Sequence, residues 1–398
     1  MTAKIRVLFD ELGFREPHGG VSRYFTEMIK RLPKDVAWRL SAVCSNNVFL
    51  RSEPFCLPEA KQDVHVFIRD VLHGKSFLGV SHFYRLLSAL APKIFPSGER
   101  VNRKAFAAAI RADDFDILHL TDPHPYYNWW ELVCGRKPIV ATVHDLIPEL
   151  FYSTNRVKKM RSKLVKEAAH IISVSKNTKN DLVRLYGVSP DKVTVIYHGY
   201  LAPREKNLSF NNLTVKPLTT KYLLFVGKRS GYKNFNFFIR AVASLLKADR
   251  KLSVFCTGSA FSQSELEEIA NLGLQGRVSQ GFVPDCEMPS IFAHAAVFVY
   301  PSKYEGFGIP ILDAFAAGCP VVLSRCSCFP EVAGDAACYF PDGDSGMLCE
   351  QVTAMIEDFQ LRREMVKRGR ERVKDFSWQK CADETAEVYH KVISAAKV

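Results

Sequence analysis

Short apolar runs alternate with amphipathic helical patterns along this chain, twice over, and that alternation leaves few folds open. In the first series, residues 5–9, 38–44, 117–120, 138–143, 171–174 and 193–197 read as strands. Helical periodicity covers about 22–32, 156–169 and 177–186, while 50–110 is mixed in polarity and shows no clear strand run. The stretch 201–220 is polar, proline-bearing and without periodicity, so it reads as a linker. The second series then places strands at 222–226, 252–257, 278–282, 296–300 and 320–323. Its helices fall at 235–247, 264–272, 289–293, 310–317, most of 346–373, and finally 378–398. Continuous apolar strands separated by helices are the signature of parallel sheets covered on both faces. The expected fold class is therefore α/β, with two Rossmann-like parallel-sheet domains facing a cleft. The expected boundaries are 1–205, 206–377 for the second domain, and a terminal helix 378–398 packing back toward the first.

Bulk properties exclude several classes. At 398 residues, with 47% hydrophobic and 24% charged residues, the chain has ample material for two cores. The start, MTAKIRVLFDEL, has no apolar signal region. The longest uncharged stretch found, 288–302, holds two prolines and is too short to span a bilayer. Eleven cysteines follow no repeating spacing, and Cys326-Ser-Cys328 is too tight for a zinc knuckle, which points to reduced thiols in a cytoplasmic protein. A net charge of +12 favours an anionic partner without choosing one. The cations are dispersed and no nucleic-acid-binding module is present, so nucleic acid is not the expected partner.

The unusual residue clusters sit where strands end, which is where open parallel sheets place their ligands. The sharpest is Glu305-Gly-Phe-Gly-Ile-Pro-Ile-Leu-Asp313, running from a strand end into a helix. Its glycines allow close backbone approach, and the helix start offers free N–H groups suited to a pyrophosphate. Asp313 is expected in the first turn of that helix, and both carboxylates suit acceptance from sugar and ribose hydroxyls. The structural alternative is a turn with Asp313 favouring the helix dipole. A second turn, Gly227-Lys-Arg229-Ser-Gly-Tyr-Lys233-Asn234, carries cations that could stabilise a departing diphosphate, or that simply face solvent. His18-Gly19-Gly20 and Thr142-Val-His144-Asp145 follow two strands of the first series; a plain turn and a structural histidine are the alternatives there.

Together these residues resemble glycosyltransferase family four, a retaining family of two-lobed GT-B enzymes; the likeness covers almost the whole chain and is best over 138–335. The stretch EGFGIPILDAFAAGCPVV is similar to the family's pair of carboxylates spaced by seven residues, with Asp313 where a glutamate is usual. The resemblance implies that Glu305 contacts the donor sugar and that Gly306, Phe307, Gly308 and Ile309 present backbone amides to sugar and phosphate. It gives Asp313 the ribose, Arg229 and Lys233 the diphosphate, Gly20 the phosphate or acceptor, and His144 the donor sugar near the reacting carbon. Phe282 and Val283 are candidates for the base. It implies a nucleotide-sugar donor, no metal or other cofactor, and a glycan or lipid-linked acceptor on the first lobe with help from 50–130. The HDLIPE stretch and the GYKNF turn look like bacterial mannosyltransferases of surface polysaccharide assembly, so GDP-mannose is the expected donor; UDP-glucose or UDP-N-acetylglucosamine, or a silent sugar-binding GT-B protein, are the alternatives.

Weaker patterns read structurally. Asp114-Phe-Asp116 imitates a metal-binding motif but leads into a buried strand, Asp342-Gly-Asp344 is a surface turn, and His73-Gly-Lys75-Ser76 lacks the first glycine of a phosphate loop. Ser175 reads as a helix cap, and Glu331 as support for the donor loop or as helix-start packing. The basic helix 156–169 could meet an anionic membrane surface; its apolar face lacks Trp and Phe, which favours a solvated basic face with the few apolar residues packed inward over membrane contact.

Overall fold

The computed structural model describes residues 4–51, 54–58, 98–121, 133, 135–152, 155–200, 214–215, 217–218 and 221–396. Two six-stranded sheets, parallel throughout, form two lobes. The N-terminal lobe holds β1 (Ile5–Phe9), α1 (Gly20–Ile29), β2 (Val36–Leu40), α2 (Gly98–Ala112), β3 (Ile117–Leu120), β4 (Ile139–Val143), α3 (Asn155–Glu167), β5 (His170–Ser173), α4 (Lys176–Tyr186) and β6 (Val193–Val195). Its strand order is β2-β1-β3-β4-β5-β6. The C-terminal lobe holds β7 (Lys221–Phe225), α5 (Phe235–Ala241), α6 (Ala243–Ala248), β8 (Leu252–Thr257), α7 (Gln263–Asn271), β9 (Val278–Gly281), α8 (Met288–His294) and β10 (Val297–Tyr300). It continues with α9 (Ile309–Ala317), β11 (Val321–Ser324), α10 (Phe329–Ala333), β12 (Cys338–Phe340), α11 (Ser345–Glu357) and α12 (Phe359–Arg372), ahead of α13 (Trp378–Ala396). The second sheet is ordered β12-β11-β10-β7-β8-β9. This is the expected pair of Rossmann-like sheets.

Alternation along β7 shows why its run is apolar throughout. Tyr222 and Leu224 enter one core and Leu223 and Phe225 the other, so both faces are buried. In the N-terminal lobe Val7 and Phe9 face one core and Leu8 the opposite one. Trp378, Cys381, Tyr389 and Val392 of α13 join the core of Val7 and Phe9, so the last helix covers the first lobe's sheet. The chain crosses between lobes at two places that touch: a Cβ on Gly199 would lie 2.1 Å from the Trp378 backbone nitrogen. Only glycine fits that crossing.

Several elements differ from the sequence reading. The helix expected over 235–247 breaks at Val242 into α5 and α6. The helical stretch 346–373 breaks at Asp358, whose carboxylate accepts the Leu361 N–H at 2.9 Å and starts α12. Strand β2 ends at Leu40, short of Cys44, while α10 and β12 were not anticipated. Within 50–110 only α2 and a few flanking residues are described, so His73-Gly-Lys75-Ser76, and most of the linker 201–220, lie outside the described residues. Ser175 caps α4 by accepting the Thr178 N–H. Asp116 and Asp114 pair with Arg6 and Arg39 at 2.8 and 2.6 Å beside β3. On the basic helix α3, Val157, Leu164 and Val165 are buried and Arg161 pairs internally with Glu149 at 2.9 Å; Arg156, Lys158, Lys159, Lys163 and Lys166 are exposed. No helix among the described residues is long and apolar enough to cross a membrane.

Candidate active site between the two sheets

β10 ends at Tyr300, and the chain then loops through residues 301–308 before α9 begins. Gly308 caps that helix with φ 88°, a conformation that glycine adopts without cost, and Pro310 fills the first turn. Glu305 is only 8% exposed, and its carboxylate meets the Lys233 ammonium at 2.7 Å. Lys233 also donates to the Tyr300 hydroxyl at 3.0 Å. It is held there by a tight turn over Gly231–Lys233 that closes on Asn234, itself in the left-handed region at φ 62°. The glycine-flanked turn and the carboxylate loop, 72 positions apart as numbered, thus meet at two adjacent strand ends.

A strap after β11 fixes the carboxylate loop. The Ser327 hydroxyl accepts the Glu305 N–H at 3.2 Å and donates to the Glu305 carbonyl at 2.6 Å. The Cys328 thiol reaches the same carbonyl at 3.2 Å, and Ser324 donates to the Ser302 carbonyl at 2.5 Å. Buried backbone groups in an irregular loop need such partners.

The N-terminal lobe closes over this loop. A Cβ on Gly306 would stand 1.8 Å from the His144 carbonyl oxygen, so the absence of a side chain permits the contact. Gly20, at the start of α1, faces Ile309, where an added Cβ would lie 3.4 Å from the side chain. The half-buried His144 donates Nε2–H to the Thr121 carbonyl at 3.3 Å, which leaves Nδ1 as the acceptor of the neutral ring. Burial pushes its pKa down to about 4. Phe307 is buried and stacks on His198, ring centroids 4.4 Å apart.

Other expected site residues take different positions. Asp313 lies in the second turn of α9, not the first, because the helix begins at Ile309. Its carboxylate takes a two-pronged ion pair from Arg23 of α1, at 3.0 and 3.2 Å. Arg229 is buried and pairs with Glu265 at 2.9 Å, donates to the Ser259 and Ala260 carbonyls, and packs over the Phe261 ring. Its Nη1 lies 3.9 Å from a Cβ built on Gly258, at the end of β8. Val283 is buried, whereas Phe282 is 62% exposed and meets His18 of the other lobe edge-on at 5.8 Å. Glu331 reaches across to the N-terminal lobe: it accepts the Lys176 and Asn177 N–H groups that open α4, at 2.6 and 3.2 Å, and the Tyr197 hydroxyl at 2.7 Å. That caps the helix and complements its dipole.

Arg23, His198, Ser327 and Tyr304, whose hydroxyl donates to Asp181 at 2.7 Å, carried no functional signal in the sequence. Their partners are remote along the chain, so no local motif marks them. The cleft combines neutral acceptors, a lysine–carboxylate pair and the open end of a nine-residue helix. Such an arrangement can hold a hydroxylated ligand and an anionic group side by side.

Comparison with known proteins agrees with this architecture. The family description "Glycosyltransferase Family 4" matches residues 18–200, and "Glycosyl transferases group 1" matches 210–372. The chain is 28% identical to the O-antigen chain mannosyltransferase B of Escherichia coli, covering 97% of this chain and 99% of that one. It is also 28% identical to the O-antigen chain mannosyltransferase RfbU of Salmonella typhimurium, over 55% of this chain and 66% of the relative. Among solved structures, Anabaena Alr3699/HepE in complex with UDP and glucose superposes with a TM-score of 0.68 at 18% identity, covering 96% of this chain and 99% of that one. Sucrose-phosphate synthase from Thermosynechococcus elongatus superposes at 0.70 and 18%, covering 98% and 100%. The chain is a family-four-like glycosyltransferase with the GT-B fold.

Proposed function

We propose that this protein transfers mannose from GDP-mannose, with retention of configuration and without a metal ion, to a glycan or lipid-linked acceptor. The observation that carries the reading is the buried Lys233–Glu305 pair, set in the loop that leads into α9, with the His144 backbone carbonyl packed against the neighbouring Gly306. In this reading Glu305 and His144 hold the mannosyl hydroxyls. Gly306, Phe307, Gly308 and Ile309 offer backbone N–H groups to the diphosphate, and Lys233 neutralises the charge that grows on it. Arg229 contributes its Nη1 edge while Glu265 fixes the rest of its guanidinium. Asp313 takes the ribose, Phe282 and Val283 flank the base, and Gly20 lets α1 approach the phosphates. The bond from the anomeric carbon to the diphosphate oxygen breaks as the acceptor hydroxyl attacks from the same face. The departing phosphate takes the acceptor proton, and the products are the α-linked glycoside and GDP. Closure of the lobes excludes water from the exposed cation-like sugar. The free thiols at the described cysteines support a cytoplasmic setting, and the exposed cations of α3 support contact with the inner membrane face.

Donor binding and slow donor hydrolysis, measured for GDP-mannose, UDP-glucose and UDP-N-acetylglucosamine in the presence of chelator, test the reading. Selective turnover of GDP-mannose is expected, and it should fall about a hundredfold in Lys233→Ala and Glu305→Ala. Preference for a UDP-sugar would transfer the reading to that donor. No binding by folded protein would replace it with a silent sugar-binding role, and an inverted product anomer by NMR would remove retention.

A further inference from the structure

Immediately after the His144-Asp145 loop the chain forms a π-helical turn, Pro148–Tyr152, that ends in two aromatic residues. Phe151 is 39% and Tyr152 is 59% exposed. Neither is stranded on an empty surface. The Phe151 ring lies 5.6 Å from Tyr232 and 6.2 Å from Tyr304, both on the opposite lobe. A Cβ on Gly231 would stand 3.2 Å from the Tyr152 hydroxyl. Tyr232 precedes Lys233, whose ammonium is 5.5 Å from the Tyr232 ring centre, and Tyr304 precedes Glu305. Burial, and after it the Glu305 carboxylate, raises the Tyr232 pKa, in keeping with the ring's place beside the Lys233–Glu305 pair. Three rings from two lobes therefore line one rim of the cleft, next to the carboxylate that faces the donor sugar.

We infer that Phe151, Tyr152 and Tyr232 form the acceptor subsite, and that its ligand is a pyranose ring of the acceptor glycan stacked on their faces. The inference rests on the glycosyltransferase reading. A pyranose carries its C–H bonds on one face and its hydroxyls around the edge. Its apolar face suits a rigid, partly exposed aromatic surface, and its edge suits the polar strand ends beside it. The interior position is taken by the donor, between His144 and residues 305–309. A ring at the rim is left facing the anomeric carbon from outside, where the attacking hydroxyl must arrive. Packing across the closed lobes alone would bury these rings; their remaining exposure leaves stacking area for a ligand.

The test is the kinetics of transfer to octyl α-mannoside, octyl β-glucoside and octyl N-acetylglucosaminide, with saturation-transfer NMR of the same glycosides and mannitol as the acyclic control. Tyr152→Ala and Phe151→Ala should raise the acceptor KM about tenfold, with the donor KM as internal reference. Tyr152→Phe and Tyr152→Trp should restore it, and Tyr152→Leu should not. NMR contacts from a glycoside to the aromatic protons should vanish in the alanine variants. An unchanged acceptor KM in both alanine variants, equal response to mannitol, or a parallel rise in donor KM would overturn the assignment. Failure of the wild type to bind any nucleotide sugar would instead remove the enzyme reading, whatever the glycosides do.

Discussion

At the scale of single residues the pairing of Arg23 with Asp313 carries the most consequence. Each side chain is 22% exposed, and the two join α1 of one lobe to α9 of the other, near the helix start proposed to face the donor phosphates. A carboxylate has room for about four hydrogen bonds, so Asp313 can keep Arg23 and still accept from a ribose. Removing Arg23 leaves a bare negative charge near the proposed diphosphate site and frees the carboxylate to turn away. Arg23→Ala is therefore expected to raise the donor KM about five- to tenfold, with less than about 1 kcal/mol lost from stability because the pair is partly solvated. Steady-state kinetics with urea melts would check it, and an unchanged donor KM would reduce the pair to a simple lobe contact. Glu305 and Lys233 were legible because each sits in a glycine-flanked turn at a strand end. Arg23 was not: on an amphipathic helix it reads as a solvent-facing cation, and its partner lies 290 positions away.

At the scale of elements, alternating apolar strands and helices were legible because parallel sheets bury both strand faces. What was misread were interruptions that depend on tertiary contacts. Val242 breaks α5 from α6 without proline or glycine, and the three-residue β12 is too short to show a period. The π-helical turn at Pro148–Tyr152 has no pattern of its own either. The carboxylate loop shows how far such local geometry reaches. Gly306 has no left-handed φ, so its need for glycine comes from packing: the Asp145 Cβ lies 3.1 Å from where a Cβ would stand, and the His144 carbonyl oxygen only 1.8 Å. That neighbour is backbone of the other lobe and cannot rotate aside. Gly306→Ala should hold the lobes apart while leaving each sheet folded. We expect at least about a hundredfold loss of transfer, as for misplaced catalytic groups, with far-UV circular dichroism unchanged. Small-angle scattering should report a larger radius of gyration; a wild-type radius with full activity would mean that the lobes work in a more open arrangement.

At the scale of the whole molecule, neutral histidines concentrate where the lobes join. His119 bridges Thr142 and the Tyr389 hydroxyl of α13, and burial pushes its pKa down to about 3. His144 is lowered to about 4. His198 lies between Tyr24, Phe307 and Trp378, both ring nitrogens lack a hydrogen-bond partner, and burial holds its pKa well below the ordinary range. An unfolded histidine takes up its proton near about pH 6.5. Below that point the unfolded chain binds more protons than the folded one, so stability falls as pH falls. The loss levels off only where the folded rings themselves titrate, near 4 for His144 and 3 for His119. His170 is likewise buried and lowered to about 4, so four such groups give a slope of about 5 kcal/mol per pH unit below about pH 6, on top of any carboxylate effect. Urea melts between pH 7 and 4.5 should show that slope. His198→Phe removes one of the four titrating rings and breaks no hydrogen bond, so it should lower the slope by about one proton, or about 1.4 kcal/mol per pH unit. A slope unchanged by His198→Phe would mean that this ring carries a proton in the folded state, and that the junction between the lobes holds a charge buried among aromatic rings.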